Sequence, residues 1–213
     1  MGLTSRRKRP IDRTIKSLRD TCLIIIATEG ERTEKKYFES ALFGNHRVQV
    51  KVLPSTDGLS APNHVLRRLR EFANTTELQG DDQLWLVIDK DRWTNASLST
   101  VCASTLRRNK KVKTALSNPC FELWLYLHCK DWDNGVINSK DMEIKLRALL
   151  GSYNKSDPDI SSFIGLVNNA AERAKTLDKQ PSNRWPTNPG THVYKLIAAI
   201  RFIEQGSMDN PSL

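Results

Sequence analysis

The chain has 213 residues, of which 38% are hydrophobic and 27% charged, a balance typical of a folded globular domain and not of a disordered segment. The formal net charge of +9 favours polyanionic partners such as nucleic acid. No apolar run approaches the roughly 20 residues of a membrane helix, and no secretory leader is expected, so no membrane partner is predicted. The four cysteines form no C-x-x-C pair, which argues against a zinc ribbon and favours the reducing cytoplasm.

Residues 1–20 are predicted to be a basic N-terminal extension, in which Pro10 interrupts any continuous helix. The cations of this extension either form a solvated tail or contact phosphate groups, and the sequence leaves both possibilities open. They are Arg6, Arg7, Lys8, Arg9, Arg13, Lys16 and Arg19.

Predicted strands then alternate with predicted helices. Residues 22–28 and 84–88 are continuous apolar runs, typical of strands that are covered on both faces. Residues 48–53 alternate apolar and polar and predict a half-exposed strand. One helix is expected from an N-cap at Thr33 to about residue 42, and another from Pro62 to about residue 72. The order strand, helix, strand, helix, strand indicates a mainly parallel sheet with helices on its faces.

The second half of the chain is less regular and mostly helical. In chain order it predicts a helix at 97–107, a strand at 112–116, a helix at 121–129, a helix to Leu150 capped by Asn138 or Ser139, a helix from Asp157-Pro158 to about Leu177, and a last helix capped by Thr191. We therefore predict an α/β domain over residues 21–130 and a helical C-terminal portion over residues 131–213, packed on the same domain.

Acidic side chains follow the two most apolar predicted strands. Glu29 follows the first strand, and Asp89 and Asp91 follow the third. In parallel sheets, ligands bind beyond the carboxyl ends of the strands, so we expect these side chains to lie at one edge. Mg²⁺ prefers carboxylate oxygens, and clustered carboxylates repel one another unless a cation lies among them. The pattern favours a metal site in which Glu29 holds a second ion or acts as a general acid or base.

Three blocks of sequence resemble the RloB-like, abortive-infection proteins, which are similar to TOPRIM domains. The blocks are IIIATEGERTEKKYFES, LWLVIDKDRW and LSNPCFELWLYLH, and the resemblance covers roughly residues 20–205. It implies that Glu29 is the TOPRIM glutamate after the first strand, and that Asp89 and Asp91 are its D-x-D pair. The expected fold is therefore TOPRIM-like.

The same resemblance implies further site residues. Glu31 and Glu34 belong to the E-G-E-x-T-E block, and the block N-P-x-F-E-x-W-L-x-x-H supplies Asn118, Glu122 and His128. Tyr153 and Lys155 match a shorter family motif, Y-x-K. Glu122 is expected to be a third catalytic carboxylate, the alternative being an acid that favours the helix N-terminus, whereas His128 is expected to be packed in the core.

Several cations and one aromatic residue remain open to two interpretations. Lys90 either contacts the scissile phosphate or pairs with an acid, and Trp93 either stacks on a base or covers the sheet edge. Two basic groups are candidates for contact with nucleic-acid phosphates or are solvated faces of the protein. Their members are Arg67, Arg68, Arg70, Arg107, Arg108, Lys110, Lys111 and Lys113.

The resemblance implies a nuclease that needs Mg²⁺ or Mn²⁺, acts in anti-phage defence, and works with a separate ABC-type or AAA-type ATPase. The chain has no G-x-x-x-x-G-K-[ST] loop of its own, which fits a partner that hydrolyses ATP and equally fits a protein with no connection to ATP. The alternative is a catalytically silent subunit that binds nucleic acid or nucleotide and regulates such an ATPase. A topoisomerase is disfavoured, because the chain is too short to carry the domain with its tyrosine nucleophile.

Overall fold

The structure is a computed structural model that describes residues 21–206, apart from residues 41, 42, 44, 57, 107–109, 133, 134 and 136. The predicted basic extension and the candidate phosphate contacts Arg107 and Arg108 lie outside the described residues. No helix within the described part of the chain is long and apolar enough to span a lipid bilayer.

A five-stranded sheet forms the centre of the molecule, with strand order β2-β1-β3-β4-β5. Strands β1 to β4 are parallel, and the short β5 pairs with β4 in the antiparallel direction. The strands are β1 (Cys22–Thr28), β2 (Val48–Leu53), β3 (Gln83–Asp89), β4 (Val112–Asn118) and β5 (Gly190–Thr191). The predicted α/β class and mainly parallel sheet are confirmed, and the arrangement is consistent with a TOPRIM-like fold.

Helices cover both faces of this sheet. They are α1 (Thr33–Phe38), α2 (Pro62–Thr75), α3 (Asn95–Cys102), α4 (Phe121–Cys129), α5 (Ser139–Leu150), α6 (Val167–Leu177) and α7 (Val193–Glu204). Successive side chains of β1 alternate between two cores: Ile24 and Ile26 pack with α4 to α7, whereas Leu23 and Ile25 pack with α2 and α3. Burial on both faces explains why β1 and β3 are continuous apolar runs.

The predicted boundaries fail where a tertiary contact outweighs a local preference. Helix α1 ends at Phe38, earlier than predicted, and Thr33 is its first residue and not its N-cap. The Thr33 hydroxyl instead donates to the Lys155 carbonyl at 2.8 Å. The helix predicted from Asp157 begins only at Val167, because the segment before it forms a short 3₁₀ helix (Ile160–Phe163) with Asp159 as its N-cap.

Two further boundaries differ from the prediction for local reasons. Helix α3 begins at Asn95, because the Thr94 side chain accepts the Ser97 N–H as an N-cap. Thr191 lies in β5, and His192 occupies the N-cap position of α7. The Thr191 hydroxyl nevertheless accepts the Val193 N–H at 3.2 Å, so it does bind the start of the predicted helix.

Candidate active site at the carboxyl edge of the sheet

Glu29 and Asp89 lie side by side because β1 and β3 are neighbouring parallel strands. The backbone N–H of Glu29 donates to the Val87 carbonyl at 3.0 Å, which continues the strand ladder. Oε2 of Glu29 accepts the backbone N–H of Asp89 at 3.1 Å and the indole N–H of Trp93 at 3.0 Å. Glu29 is only 7% exposed, so this carboxylate is held in a fixed and poorly hydrated position.

The two aspartates of the D-x-D pair diverge. Oδ1 of Asp89 accepts the Phe121 N–H at 2.9 Å, which ties the end of β3 to the first turn of α4. The Asp91 N–H donates to the Pro119 carbonyl at 3.3 Å, and the exposed Asp91 carboxylate accepts the hydroxyl of Ser139. Asp89 therefore faces the buried carboxylates, whereas Asp91 is held toward the start of α5.

Glu122 is the most deeply buried acid of the site, at 1% exposure. Its Oε1 lies 2.7 Å from the Lys155 ammonium and accepts the Tyr153 hydroxyl at 3.3 Å. Its Oε2 is buried without a hydrogen-bond partner among the described residues. A buried carboxylate oxygen without a partner is costly, so this atom is suited to accept a donor or to bind a cation.

The loop between α5 and the 3₁₀ helix (Ile160–Phe163) carries Tyr153 and Lys155 to the site. Thr33 binds the backbone of this loop at the Lys155 carbonyl. The Lys36–Asp157 ion pair holds the loop a second time. Contacts between this loop and α1 therefore hold Tyr153 and Lys155 beside Glu122.

Burial, reinforced by repulsion among the acids, dominates the electrostatics of the site. Burial, and then the charges of Glu122, Glu29 and Glu34, raise the pKa of Asp89 well above its usual range. Burial also raises the pKa of Glu29, against the lowering effect of the Trp93 hydrogen bond. A divalent cation would relieve this repulsion and return the acids to their charged forms.

Glu122 and Lys155 form the one compensated pair in the cluster of described acids. Burial alone would raise the pKa of Glu122, but the charge and hydrogen bond of Lys155 outweigh it, and the pKa is lowered. Burial likewise opposes the charge on Lys155, but Glu122 raises the pKa of the ammonium above its ordinary value. Both groups are therefore charged at neutral pH.

Glu34 makes the stability of the folded protein depend on pH. Burial, and then repulsion by Glu122, raise the pKa of Glu34 to about 7 in the folded protein, from an ordinary value of 4.5. The folded state binds this proton more tightly than the unfolded state does. Its stabilising contribution is therefore complete below about pH 4.5 and is lost as the pH rises to about 7, by about 3 kcal/mol in all.

We expect Glu34→Gln to flatten the fall in stability between pH 5 and pH 7.5. The glutamine keeps an oxygen to accept the Gly30 N–H, which Oε1 of Glu34 accepts at 3.0 Å, and it cannot ionise. Urea unfolding of wild type and variant at the two pH values measures the difference. Glu39→Gln, at an exposed glutamate just beyond α1, is the matched control. Parallel pH dependences in wild type and Glu34→Gln would contradict the assignment.

The remaining supporting residues lie around this cluster and not within it. Glu31 is exposed and lies 4.0 Å from Arg32. The Asn118 side-chain amide donates to three carbonyls of residues 186–188 at 3.1–3.2 Å, which anchors the proline-rich loop beside β4. Lys90 is partly buried and makes no ion pair with any described residue.

His128 belongs to the core. The Tyr37 hydroxyl lies 3.0 Å from its Nε2, and its Nδ1 lies 3.0 Å from the Trp124 carbonyl. Burial lowers its pKa to about 4, so the ring is neutral at physiological pH. Its role is to satisfy buried polar groups behind the site.

The two basic groups lie at different edges of the sheet. Arg68 donates to the Leu59 and Thr28 carbonyls at 2.8 and 2.7 Å, so its guanidinium braces the end of β1 near Glu29. Lys110 donates to the Gly80 carbonyl at 3.0 Å, and Lys113 donates to the Gln83 side chain at 3.1 Å. These two lysines, with the neighbouring Lys111, lie beside the start of β3, at the edge opposite the carboxylates.

The sequence indicated that Glu29 and Asp89 follow neighbouring strands of the sheet, but it did not indicate two contacts of the candidate site. Trp93 was expected to stack on a base or to cover the sheet, whereas its indole N–H binds Glu29. The bond between Thr33 and the Lys155 carbonyl had no signal in the sequence, because it joins positions 122 residues apart. Among the residues that the structure describes, no three His, Cys, Asp or Glu side chains form a group able to hold a metal ion as they stand.

Comparison with known proteins identifies one family. A family model described as RloB-like protein matches residues 24–200, which is most of the chain. No curated protein and no solved structure matches it.

Proposed function

Because the chain belongs to the RloB-like family, we propose that it is a TOPRIM-type nuclease that hydrolyses phosphodiester bonds of DNA or RNA, with tRNA among the candidate substrates, and that it uses Mg²⁺ or Mn²⁺. One observation carries the proposal: Glu29, Asp89 and Glu122 are gathered at the carboxyl edge of a parallel sheet, where ligands of such sheets bind. The burial and mutual repulsion of these acids, together with the unpartnered Oε2 of Glu122, support a cation at this edge.

The chemistry of the carboxylate donors fits a hard divalent cation, although no three of the described acids form a metal-holding group as they stand, so Asp91 would have to turn from Ser139 to join the others. Glu29, Asp89 and Asp91 would hold it, with Glu122 as a further carboxylate. Mg²⁺ is usually held by one or two carboxylates together with water and phosphate oxygens, so a complete protein cage is not required. When bound, the cation would neutralise the charge that develops on the phosphate.

The protein's own groups supply the remaining chemistry. Glu29 has a raised pKa and one oxygen free of hydrogen bonds to described residues, so it is suited to accept or donate a proton. The Lys155 ammonium is about half exposed beside Glu122, which leaves it able to contact a phosphate oxygen. The first turn of α4 adds a positive dipole end next to Asp89.

We further propose that this activity serves anti-phage defence, in the cytoplasm and with a separate ABC-type or AAA-type ATPase. Two features support a partner. The sequence resembles abortive-infection proteins, and it contains no phosphate-binding G-x-x-x-x-G-K-[ST] loop. ATP hydrolysis would then have to come from another chain.

A catalytically silent regulatory subunit is the second candidate function. It is favoured by the present hydrogen bonds of the carboxylates: Asp91 is turned to Ser139, and Lys155 already neutralises Glu122. In that case the site would bind nucleic acid or nucleotide without cutting it, and the chain would act on its ATPase.

Cleavage of plasmid DNA and of bulk tRNA by the purified protein, in Mg²⁺, Mn²⁺ or EDTA, tests the nuclease proposal. We expect cleavage of one substrate class that requires the metal and stops in EDTA. If neither substrate is cut, the assay is repeated with the ATPase and ATP added. Complex formation without cleavage under both conditions would reject the nuclease in favour of the regulatory subunit.

A further inference from the structure

The turn that follows β3 returns Trp93 to the site. Its backbone N–H donates to the Lys90 carbonyl at 3.2 Å, which closes the turn. Lys90 in turn donates its own N–H to the Ser117 carbonyl at 2.8 Å, which fastens the turn to β4. The indole N–H then donates to Oε2 of Glu29 at 3.0 Å. The turn that carries Asp91 therefore also carries the donor that binds Glu29.

We propose that Trp93 is a positioning residue that fixes the Glu29 carboxylate for cation binding, an inference that rests on the proposed metal-dependent function. Oε2 of Glu29 receives two donors, the Trp93 indole and the Asp89 backbone, whereas Oε1 receives no hydrogen bond from any described residue. One oxygen is thus saturated, and the other is left for a ligand.

The physical reason lies in the last torsion of a glutamate, which is broad and weakly restricted. Two donors on one oxygen restrict that torsion and hold the carboxylate plane in place. Partners that orient a metal ligand in this way typically change metal affinity or activity about 10–100-fold when they are removed.

The packing of the ring supports this role over base stacking. Trp93 is partly buried and packs on the core cluster between the sheet and helices α2 and α3. That packing fixes the ring, and a fixed ring aims its N–H at one acceptor. The Trp93 side chain therefore covers the sheet edge with its ring and positions Glu29 with its N–H.

Trp93→Phe removes the N–H donor and keeps an aromatic ring, and Trp185→Phe is its matched control. Trp185 is also partly buried against the same cluster, so both variants lose a similar amount of packing. We expect Mn²⁺ affinity, measured by calorimetry or electron paramagnetic resonance, to fall about 10-fold in Trp93→Phe and less than about 2-fold in Trp185→Phe. The change in tryptophan emission on Mn²⁺ binding should disappear in Trp93→Phe alone.

A double-mutant cycle with Glu29→Gln separates positioning from a general structural effect. If Trp93 acts through Glu29, then Trp93→Phe adds no further loss of Mn²⁺ affinity in the Glu29→Gln background. Wild-type Mn²⁺ affinity in Trp93→Phe, or an equal loss in both backgrounds, would overturn the inference and leave the proposed function standing. A wild-type protein that binds no Mn²⁺ would reject the metal site itself, and the inference with it.

Discussion

Asp89→Asn is expected to abolish metal-dependent cleavage, with a loss of about 1000-fold, while the fold remains intact. The substitution removes the negative charge that would face the cation. It keeps the oxygen that accepts the Phe121 N–H, so the junction between β3 and α4 is preserved. The initial rate of substrate cleavage in Mn²⁺ measures the effect. Asp81→Asn, at an exposed aspartate just before the other end of β3, is the matched control and should cleave like wild type.

The stability of Asp89→Asn relative to wild type shows whether Asp89 serves the proposed site or caps helix α4. Burial and the charge of Glu122 raise the pKa of Asp89, so its ionised form is less favourable in the folded state than in the unfolded state. The stability contributed by the protonated carboxyl is therefore lost as the pH rises above the ordinary pKa of an aspartate. At pH 7.5, Asp89→Asn should be at least as stable as wild type. A large drop in Tm would instead assign Asp89 a capping role at α4.

Lys155→Met is expected to destabilise the protein by about 2 kcal/mol at neutral pH, because it leaves Glu122 buried without its counter-charge. Breaking a fully buried pair costs more, but Lys155 is 52% exposed at its side chain while Glu122 is 2% exposed, so water screens part of the loss. Urea unfolding at pH 7.5 measures it. Lys175→Met, at an exposed lysine of α6, is the matched control.

A variant at Glu122, the partner of Lys155, shows whether the stability lost in Lys155→Met comes from the uncompensated charge. If it does, adding Glu122→Gln to Lys155→Met should restore most of the lost stability, since the double variant has no buried charge to compensate. A double variant that is less stable than Lys155→Met would show that Lys155 contributes through packing or through its hold on the loop, and that Glu122 is stabilised by other means.

The sheet was predictable because strands that are buried on both faces have a recognisable length and apolar composition. The apolar run that ends at Thr28 and the run that ends at Asp89 are both covered on two faces, so their length and composition indicate buried parallel strands. Their parallel pairing then fixes where the chain leaves the sheet. The proximity of Glu29 to Asp89 follows from these two facts and the general placement of ligand sites in parallel sheets.

The details of the site were not predictable, because they depend on contacts between distant segments. Thr33 is a favourable N-cap in the sequence, yet it is the first residue of α1 and its hydroxyl donates to the Lys155 carbonyl, 122 residues away. Trp93 stands beside the D-x-D pair in sequence, but nothing local indicates that its N–H reaches Glu29 at the end of the neighbouring strand β1. Local preference predicts elements, whereas these contacts appear only once the sheet has brought the segments together.

The carboxylates at the edge of the sheet are proposed to bind a divalent cation. Electron paramagnetic resonance of free Mn²⁺, titrated with wild-type protein and with Asp89→Asn, tests it without any assumption about the substrate. We predict saturable loss of the free Mn²⁺ signal with wild type and at least about 10-fold weaker binding with Asp89→Asn. Equal binding by the two proteins, or no binding by wild type, would contradict the assignment of this site as a metal centre.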